Sequence, residues 1–519
     1  MTYCVEQLYL SEPNGENTGQ FHHRISNPAR LFDGNKTLKL DTLSIHDPDF
    51  PDRACACDLL VVHSLVAQEV EAVIRHRRTV GRPTVYEIPD DVLEVGSWLP
   101  EEHALHSPLL RQDILHLASL CNGLQVPSPG LAARYSALNS RVAVLDNYVP
   151  VPEEMPTRTQ GFVFGWAGTR SHYDDLAAIA PAIILFCNSH PDAIFAFMGD
   201  RATFDALFSA IPSSQQRVQP FGTYGAYMDF LRTLHVGLAP LKPTAFNRGR
   251  TDVKFIEYTV AGAATLLSDT DVYRSHSKHA CLFDTPQKLH QALERLYAEP
   301  HTRFTLVQDA FAWVQAQRGA TSLRAQRAAF YHSFLGQKKP RPRAQRRPDS
   351  AELTRRLATA WQAYASRQYL SALEYCRDLL RICPTYRQAH WLEIRNLYAL
   401  ERYDEILERN PVQAGGPLYA EMMAELAYKS ARRVCPRKSH QYLNQIRSPA
   451  VRLRLEHDPN ADQKTQFRAI LNHHPYDFFA LFGLIHLLRR SEPHSPELPA
   501  LLTRAELLAP DAIPQSSDR

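Results

Sequence analysis

Residues 236–269, VGLAPLKPTAFNRGRTDVKFIEYTVAGAATLLSD, decide the fold. The apolar run 236–241 has the length of a buried strand. A loop bearing Asn, Arg and Lys then leads into a helical stretch, and Gly262 turns the chain into a second apolar run, 264–267. This is a βαβ unit with Asn247, Arg248, Arg250 and Lys254 gathered where its helix starts. In an open α/β sheet, ligands bind beyond the carboxyl ends of the strands. A helix N-terminus there offers unpaired N–H groups and the positive end of a dipole to an anion. A phosphorylated ligand is the expected occupant.

The same alternation extends in both directions. Toward the C-terminus it includes 281–283; toward the N-terminus it includes 162–166 and 193–198, with a helix over 174–189 between them. A Pro-rich stretch, VPVPEEMP at 149–156, reads as an interdomain linker, because proline removes donors and stiffens the chain. Before it lie strand candidates at 59–63 (LLVVH), 83–88 (PTVYEI), 123–126 (GLQV) and 142–145 (VAVL), with helices over 66–77 and 108–119. Two Rossmann-like domains, 1–150 and 157–336, are therefore expected, with a cleft between their sheets able to hold two substrates.

A chain of 519 residues exceeds what one core supports. Residues 337–350 begin QKKPRPRAQRRP, six cations among prolines, and read as a basic linker; a contact with anionic lipid or nucleic acid is the alternative. From 351 to 519 the sequence is almost wholly helical. Ala360, Tyr364, Tyr369, Ala372, Leu373, Tyr375 and Leu379 recur at helix-hairpin spacing, and Pro384 closes the hairpin. The pattern is tetratricopeptide-like, with one good repeat and two or three degenerate ones. Such a region either presents a groove to a protein partner or braces the first two domains.

Composition is that of an ordinary globular chain, at 44% hydrophobic and 22% charged, and a formal charge of +3 is too small at this length to argue for nucleic acid. Nine cysteines without a Cys-x-x-Cys pair fit a reducing compartment; Cys55 and Cys57, the nearest pair, read as thiols rather than metal ligands. No basic segment followed by an apolar stretch opens the chain, and no run approaches the ~18 apolar residues of a membrane span. The expectation is a cytoplasmic protein without a transmembrane segment.

Three passages, GFVFGWAGTRSHYDDL (161–176), AIFAFMGD (193–200) and DVKFIEYTVAGAATLLSD (252–269), give the second domain its family likeness. It resembles the nucleotide-sugar-binding half of the group 1, family 4-like glycosyltransferases of the GT-B fold. The resemblance implies a UDP- or GDP-linked sugar donor, an acceptor of unknown kind over the first domain, transfer with retention, and no metal or other cofactor. The diphosphate that leaves would be stabilised by fixed cations and backbone donors: Lys254, with Arg248 or Arg250. Glu257, one turn after Lys254, matches the glutamate that holds the ribose hydroxyls. Gly249 stands where many members carry a second glutamate, and Asn247 is the candidate substitute. The opening turn holds Gly168, Thr169, Arg170 and His172, with His172 in the place of a lysine.

In the first domain, TGQFHHRISNPARLF (18–32) resembles the glycine loop that follows the first strand in a subgroup of these enzymes, and Gly19 and Arg24 are its useful members. Asp90 and Asp91 follow a strand at the cleft edge, and His63 ends another; these three are the candidates for contact with the acceptor or reaction centre. Asp146 and Asn147 resemble the interdomain hinge. Each has an ordinary reading: solvated loop charges for the cations, a surface pair with Lys254 for Glu257, caps for His172, Asp90 and Asp91, a plain turn for Gly19, a structural role for His63. Two rivals stand beside sugar transfer. One is a nucleotide-sugar-binding scaffold without turnover, motivated by Gly249. The other is an NAD enzyme, disfavoured because no Gly-x-Gly-x-x-Gly turn follows a strand.

Overall fold

A computed structural model describes residues 2–11, 19–94, 107–157, 161–336, 349–409, 411–446, 448–456 and 462–509. The basic Pro-rich stretch 337–348 and Thr18 lie outside the described residues.

The first lobe is a six-stranded parallel sheet: β1 (Tyr3–Tyr9), β2 (Leu38–Ser44), β3 (Leu59–His63), β4 (Thr84–Glu87), β5 (Gly123–Val126) and β6 (Val142–Val144), in the order β2-β1-β3-β4-β5-β6. Helices α1 (Gln68–Thr79), α2 (Pro108–Leu120) and α3 (Pro129–Tyr135) connect its strands. Every residue of β3 is buried, as a strand covered on both faces requires, which is why LLVVH reads as an unbroken apolar run. Two strands of this lobe lie outside the runs read from sequence. β1 carries Glu6 and Gln7 at 1% and 0% exposure, a buried charge held by Arg53 (Nη2 to Oε2, 2.8 Å) and a buried amide donating to Ile25 O (3.1 Å), and these polar residues break its apolar pattern. β2, LKLDTLS, alternates with exposed Lys39.

The second lobe repeats the plan with β7 (Phe162–Ala167), β8 (Ala193–Met198), β9 (Gln216–Gln219), β10 (Val236–Ala239), β11 (Ala264–Ser268) and β12 (Cys281–Phe283), ordered β12-β11-β10-β7-β8-β9 and parallel throughout. β9, QRVQ, is too polar to be read as a strand from sequence. Helices α4 (Tyr173–Ser189), α5 (Tyr224–Leu231), α6 (Val253–Val260) and α7 (Pro300–Arg318) surround it. Gly237 lets α6 sit close: a Cβ there would lie 2.3 Å from the Tyr258 ring. The twin Rossmann-like sheets are the architecture of the GT-B fold. The next helix, α8 (Ala320–Leu335), follows the second lobe in sequence yet packs on the first, where Leu323, Tyr331 and Leu335 join Val5, Leu38, Leu59 and Val85 in one cluster.

The C-terminal region is all helical among its described residues. Its principal members here are α9 (Ser350–Ala365), α10 (Arg387–Ala399), α11 (Pro411–Val434), α12 (Gln463–His473), α13 (Phe478–Ser491) and α14 (Leu498–Leu508). Ile470, Leu481, Leu484 and Leu501 share an apolar core with Val70, Ile114 and Leu117 of the first lobe. Polar ties reinforce this seam. The Tyr386 hydroxyl donates to His46 O, Gln388 Nε2 donates to Asp47 O (2.6 Å), and the Phe478 N–H donates to Gln112 Oε1 (2.6 Å). These contacts pack the C-terminal region against the first lobe.

Candidate functional site

In each sheet the strand order reverses direction at one place, between β1 and β3 in the first and between β7 and β10 in the second. The carboxyl ends of strands at such a switch point leave a crevice. Here the two crevices combine into a cleft of about 350 Å³, within the roughly 300–1,000 Å³ typical of small-ligand sites. The first lobe contributes Gly19, His23, Arg24, Asp90 and Asn147; the second contributes Gly168, Thr169, His172, Arg250, Lys254 and Glu257.

The lobes touch across this cleft. Ser128 Oγ donates to Gly249 O (2.7 Å), Asn147 Nδ2 to Thr251 Oγ1 (3.0 Å), and Arg250 Nη1 lies 3.3 Å from Asp90 Oδ2. Gly130 opens α3 against the backbone of the other lobe: a Cβ there would stand 2.0 Å from Arg248 O. Arg318 of α7 ties the hinge to α6, with Nη1 3.2 Å from Asp146 Oδ1 and Nη2 2.6 Å from Asp252 Oδ2, the residue that precedes the first turn of α6.

That first turn carries the cationic centre. Lys254 Nζ donates to Ala167 O at the end of β7 (2.8 Å) and to the Tyr227 hydroxyl (2.6 Å), which donates to Glu257 Oε2 (2.6 Å). His23 Nε2 reaches over from the first lobe to Glu257 Oε1 (2.9 Å). Burial by itself would raise the Glu257 carboxyl, but Lys254, His23 and Tyr227 overcome it and pull it down to about 2. Burial lowers the Lys254 ammonium, and Glu257 opposes that shift. Burial also holds the His172 imidazole below its usual range, with Arg250 and Lys254 adding to the effect and Asp175 (2.9 Å) opposing it.

Arg24 is 2% exposed. Its Nε donates to Glu87 Oε1 and its Nη1 to Leu145 O, while Nη2 has no partner among the described residues. Burial would raise the Glu87 carboxyl, yet Arg24 and His63 hold it well below the usual carboxylate range. His63 Nδ1 sits 2.9 Å from Glu87 Oε2, so His63 supports the wall behind Arg24 and does not line the cleft. One group of three potential metal-ligand atoms occurs among the described residues, on Cys4, Glu6 and Asp41 of β1 and β2; Arg53 already claims Glu6.

Several expected site residues stand elsewhere. Asp91 is 3% exposed and turned toward α3, accepting from the Tyr135 hydroxyl (2.9 Å) and pairing with Arg134 (3.0 Å); burial raises its carboxyl against those partners. Arg248 and Arg170 are exposed and outside the cleft, leaving Arg250 as the arginine of the loop that faces it. Asn247 spends its amide on Asp175 Oδ1 (2.9 Å) and Lys242 O (3.0 Å), so it braces the loop and does not replace the glutamate missing at Gly249. Sequence reading overlooked His23, Tyr227, Tyr224 and Phe221, all lining the cleft. The histidine lies within the quoted glycine loop, but Tyr224 and Tyr227 belong to a Thr223-capped helix whose pattern reads as an apolar face, and Phe221 to the loop before it.

No protein-family model matches the sequence, and no curated protein matches it. Solved structures are similar at low identity. S. aureus TarM is 8% identical with a TM-score of 0.42, over 53% of this chain and 55% of its own, so the chain spans about half of TarM's length. Sucrose-phosphate synthase from Thermosynechococcus elongatus is 11% identical with a TM-score of 0.47, over 64% of this chain and 98% of its own. An O-GlcNAc transferase variant from Thermobaculum terrenum is 12% identical with a TM-score of 0.42, over 64% and 68%. Among the described residues, no helix is long and apolar enough to cross a membrane.

Proposed function

We propose that the protein is a glycosyltransferase that moves a sugar from a UDP- or GDP-linked donor to an acceptor hydroxyl, without a metal and with retention. One observation carries this reading: Lys254, Arg250 and the first turn of α6 meet Arg24 across a cleft closed by both lobes. That set suits a diphosphate. In the reaction the acceptor oxygen bonds to the anomeric carbon, the bond from that carbon to the diphosphate oxygen breaks, and the diphosphate leaves with the electron pair. The acceptor's proton passes to the departing phosphate oxygen. Lys254 and Arg250 stabilise the developing charge, and lobe contact keeps water from intercepting the sugar. Asp90, the one member of the Asp90, Asp91 and His63 trio that lines the cleft, is the proposed contact for the acceptor.

Gly249, standing where many members of the resembled family carry a second glutamate, supports a second reading, a nucleotide-sugar-binding scaffold without turnover. Both Glu257 oxygens accept from protein donors, so in either reading a ribose shares them with His23 and Tyr227 or takes their place. Calorimetric titration with UDP- and GDP-sugars in the presence of EDTA, followed by product analysis with glycan and peptide acceptors, separates the two. Donor binding with transfer or slow hydrolysis supports the enzyme; binding without either supports the scaffold; no binding of any nucleotide sugar refutes both.

A further inference from the structure

A larger cavity, of about 810 Å³, opens between α1 and α2 of the first lobe and the helices α9 to α13 of the C-terminal region, within the roughly 300–1,000 Å³ of small-ligand sites. Five rings line it: Tyr364 of α9, Trp391 and Tyr398 of α10, Phe467 of α12 and Phe479 of α13. Trp391 is buried, but Tyr364, Tyr398 and Phe467 are half-buried and Phe479 is 71% exposed. Rings that only packed helix on helix would be covered. These keep surface for an occupant.

Charges of both signs share the wall, and most are matched within the protein. Glu71 pairs with Arg75 (2.7 Å) and His116 (3.2 Å), and Glu425 with Lys429 (2.6 Å). Arg395 stacks on Trp361 (5.0 Å to the ring centre) and Tyr364 (4.9 Å) and is attracted to the buried Glu69. The surplus is two acids, and both accept hydrogen bonds: Asp113 from Gln112 Nε2 (3.0 Å), and Asp477 from the Ala480 N–H (3.0 Å) at the start of α13, whose dipole offsets its charge. Pairing removes net charge but not hydrogen-bonding capacity, because each carboxylate oxygen has two lone pairs and a guanidinium five N–H groups. Gln68, exposed at the start of α1, adds an amide that no hydrogen bond among the described residues uses.

We propose that this cavity binds a neutral oligosaccharide, its rings laid on Tyr398 and Phe479 and its hydroxyls on Gln68, Glu71 and Arg395. A hydroxyl is donor and acceptor at once, so it answers carboxylate oxygens and N–H groups on the same wall. The negative face of an aromatic ring attracts the positively polarised C–H groups of a sugar ring. Charged ligands fit less well: a basic one meets Arg395 and Lys429, and an acidic one meets Glu71, Asp113, Glu425 and Asp477. An apolar ligand would strip water from all of them. Binding here involves no sugar transfer, so it stands or falls apart from the donor cleft.

Probing the full chain on an array of neutral gluco-, manno-, galacto- and N-acetylhexosamine oligosaccharides, then titrating the leading glycan by calorimetry, tests the proposal. The expected result is saturable binding that changes less than about twofold between roughly 50 mM and 500 mM salt, since a neutral ligand carries no charge to screen. Phe479→Ala and Gln68→Ala, both at exposed positions, should each weaken it roughly tenfold, and Lys254→Ala, in the donor cleft, should leave it unchanged. Melting curves confirm that each variant folds. Absence of binding to every glycan, or affinity indifferent to either Phe479→Ala or Gln68→Ala, overturns the proposal. Binding lost in Lys254→Ala would place the glycan in the cleft and overturn it as well. Octalysine that binds in a salt-sensitive, Phe479-dependent way, without glycan binding, would make the site one for cations and would overturn it too.

Discussion

Replacing Gly130 by alanine tests whether contact between the lobes is required for turnover. Locally the change is favourable, since Gly130 lies in the first turn of α3 and alanine gains about 0.5–1 kcal/mol over glycine in a helix. Across the cleft it is not. The added Cβ would stand 2.0 Å from Arg248 O, where ordinary contact begins near 3.4 Å, and both neighbours are backbone that no rotamer can move. The lobes must part by roughly 1.4 Å. The contacts Ser128–Gly249 (2.7 Å), Asn147–Thr251 (3.0 Å) and His23–Glu257 (2.9 Å) then pass beyond hydrogen-bonding range. Two neutral bonds at about 1 kcal/mol each and one charge-assisted bond at about 1.5–3 kcal/mol outweigh the helical gain several-fold. The Gly130→Ala protein should therefore melt several degrees lower, still bind donor on the second lobe, and lose at least about tenfold in kcat. Steady-state kinetics beside small-angle scattering reads both sides. Wild-type kcat with an unchanged radius of gyration would refute the requirement for closure.

Lys254→Ala and Glu257→Ala should each abolish the rise in melting temperature produced by the nucleotide sugar that stabilises the wild type; a shift retained in both would place the donor elsewhere. Asp90→Asn should lower kcat about tenfold or more, while Asp91→Asn, buried behind the cleft wall and turned toward α3, should cost stability of about 1–3 kcal/mol and leave kcat near wild type. Burial pushes the His46 imidazole down to about 4 from its ordinary 6.5. The unfolded chain takes up that proton first, so this contribution is complete above about pH 6.5 and fades as pH falls toward 4, by roughly 3 kcal/mol in all. Urea titrations of His46→Asn should lack that slope. Leu484→Ala, in the core shared by the helical region and the first lobe, should cost about 2–5 kcal/mol and lower the first lobe's melting with its own, whereas two separate transitions would show that the seam is not cooperative.

The second lobe was the more legible because its strands, β9 apart, are largely apolar on both faces. Runs such as AIFAFM and ATLLS have no other economical burial, and glycine at 262, with φ of 80°, marks the turn between helix and strand. β1 escaped the same reading because Glu6 and Gln7 are buried in it, and a buried charge is tolerable only with a partner such as Arg53, 47 residues away in sequence. α8 shows a different limit. Its buried face, Leu323, Arg327, Tyr331 and Leu335, includes a charge and shows little apolar stripe, and nothing local says that Leu323 and Tyr331 bury against the first sheet and not the second.

Site residues divide along the same line. Lys254 and Glu257 were legible because residues three apart share a helical face and the cation falls in the first turn, where a dipole and free N–H groups also lie. Their partners were not: Tyr227 and His23 come from other elements, and His23 from the other lobe. The connection matters for chemistry. With His23 and Tyr227 on its two oxygens, Glu257 stays ionised although buried, and so keeps Lys254 charged against the pull of desolvation. A ribose that took the place of His23 would supply hydroxyl donors to the same carboxylate, preserving its charge while releasing the first lobe's hold on α6. In the proposed reaction, donor and His23 would then compete for Glu257, and the expected order is donor first, on the second lobe with the cleft open, then closure through the contacts of Gly130, Ser128 and Asn147.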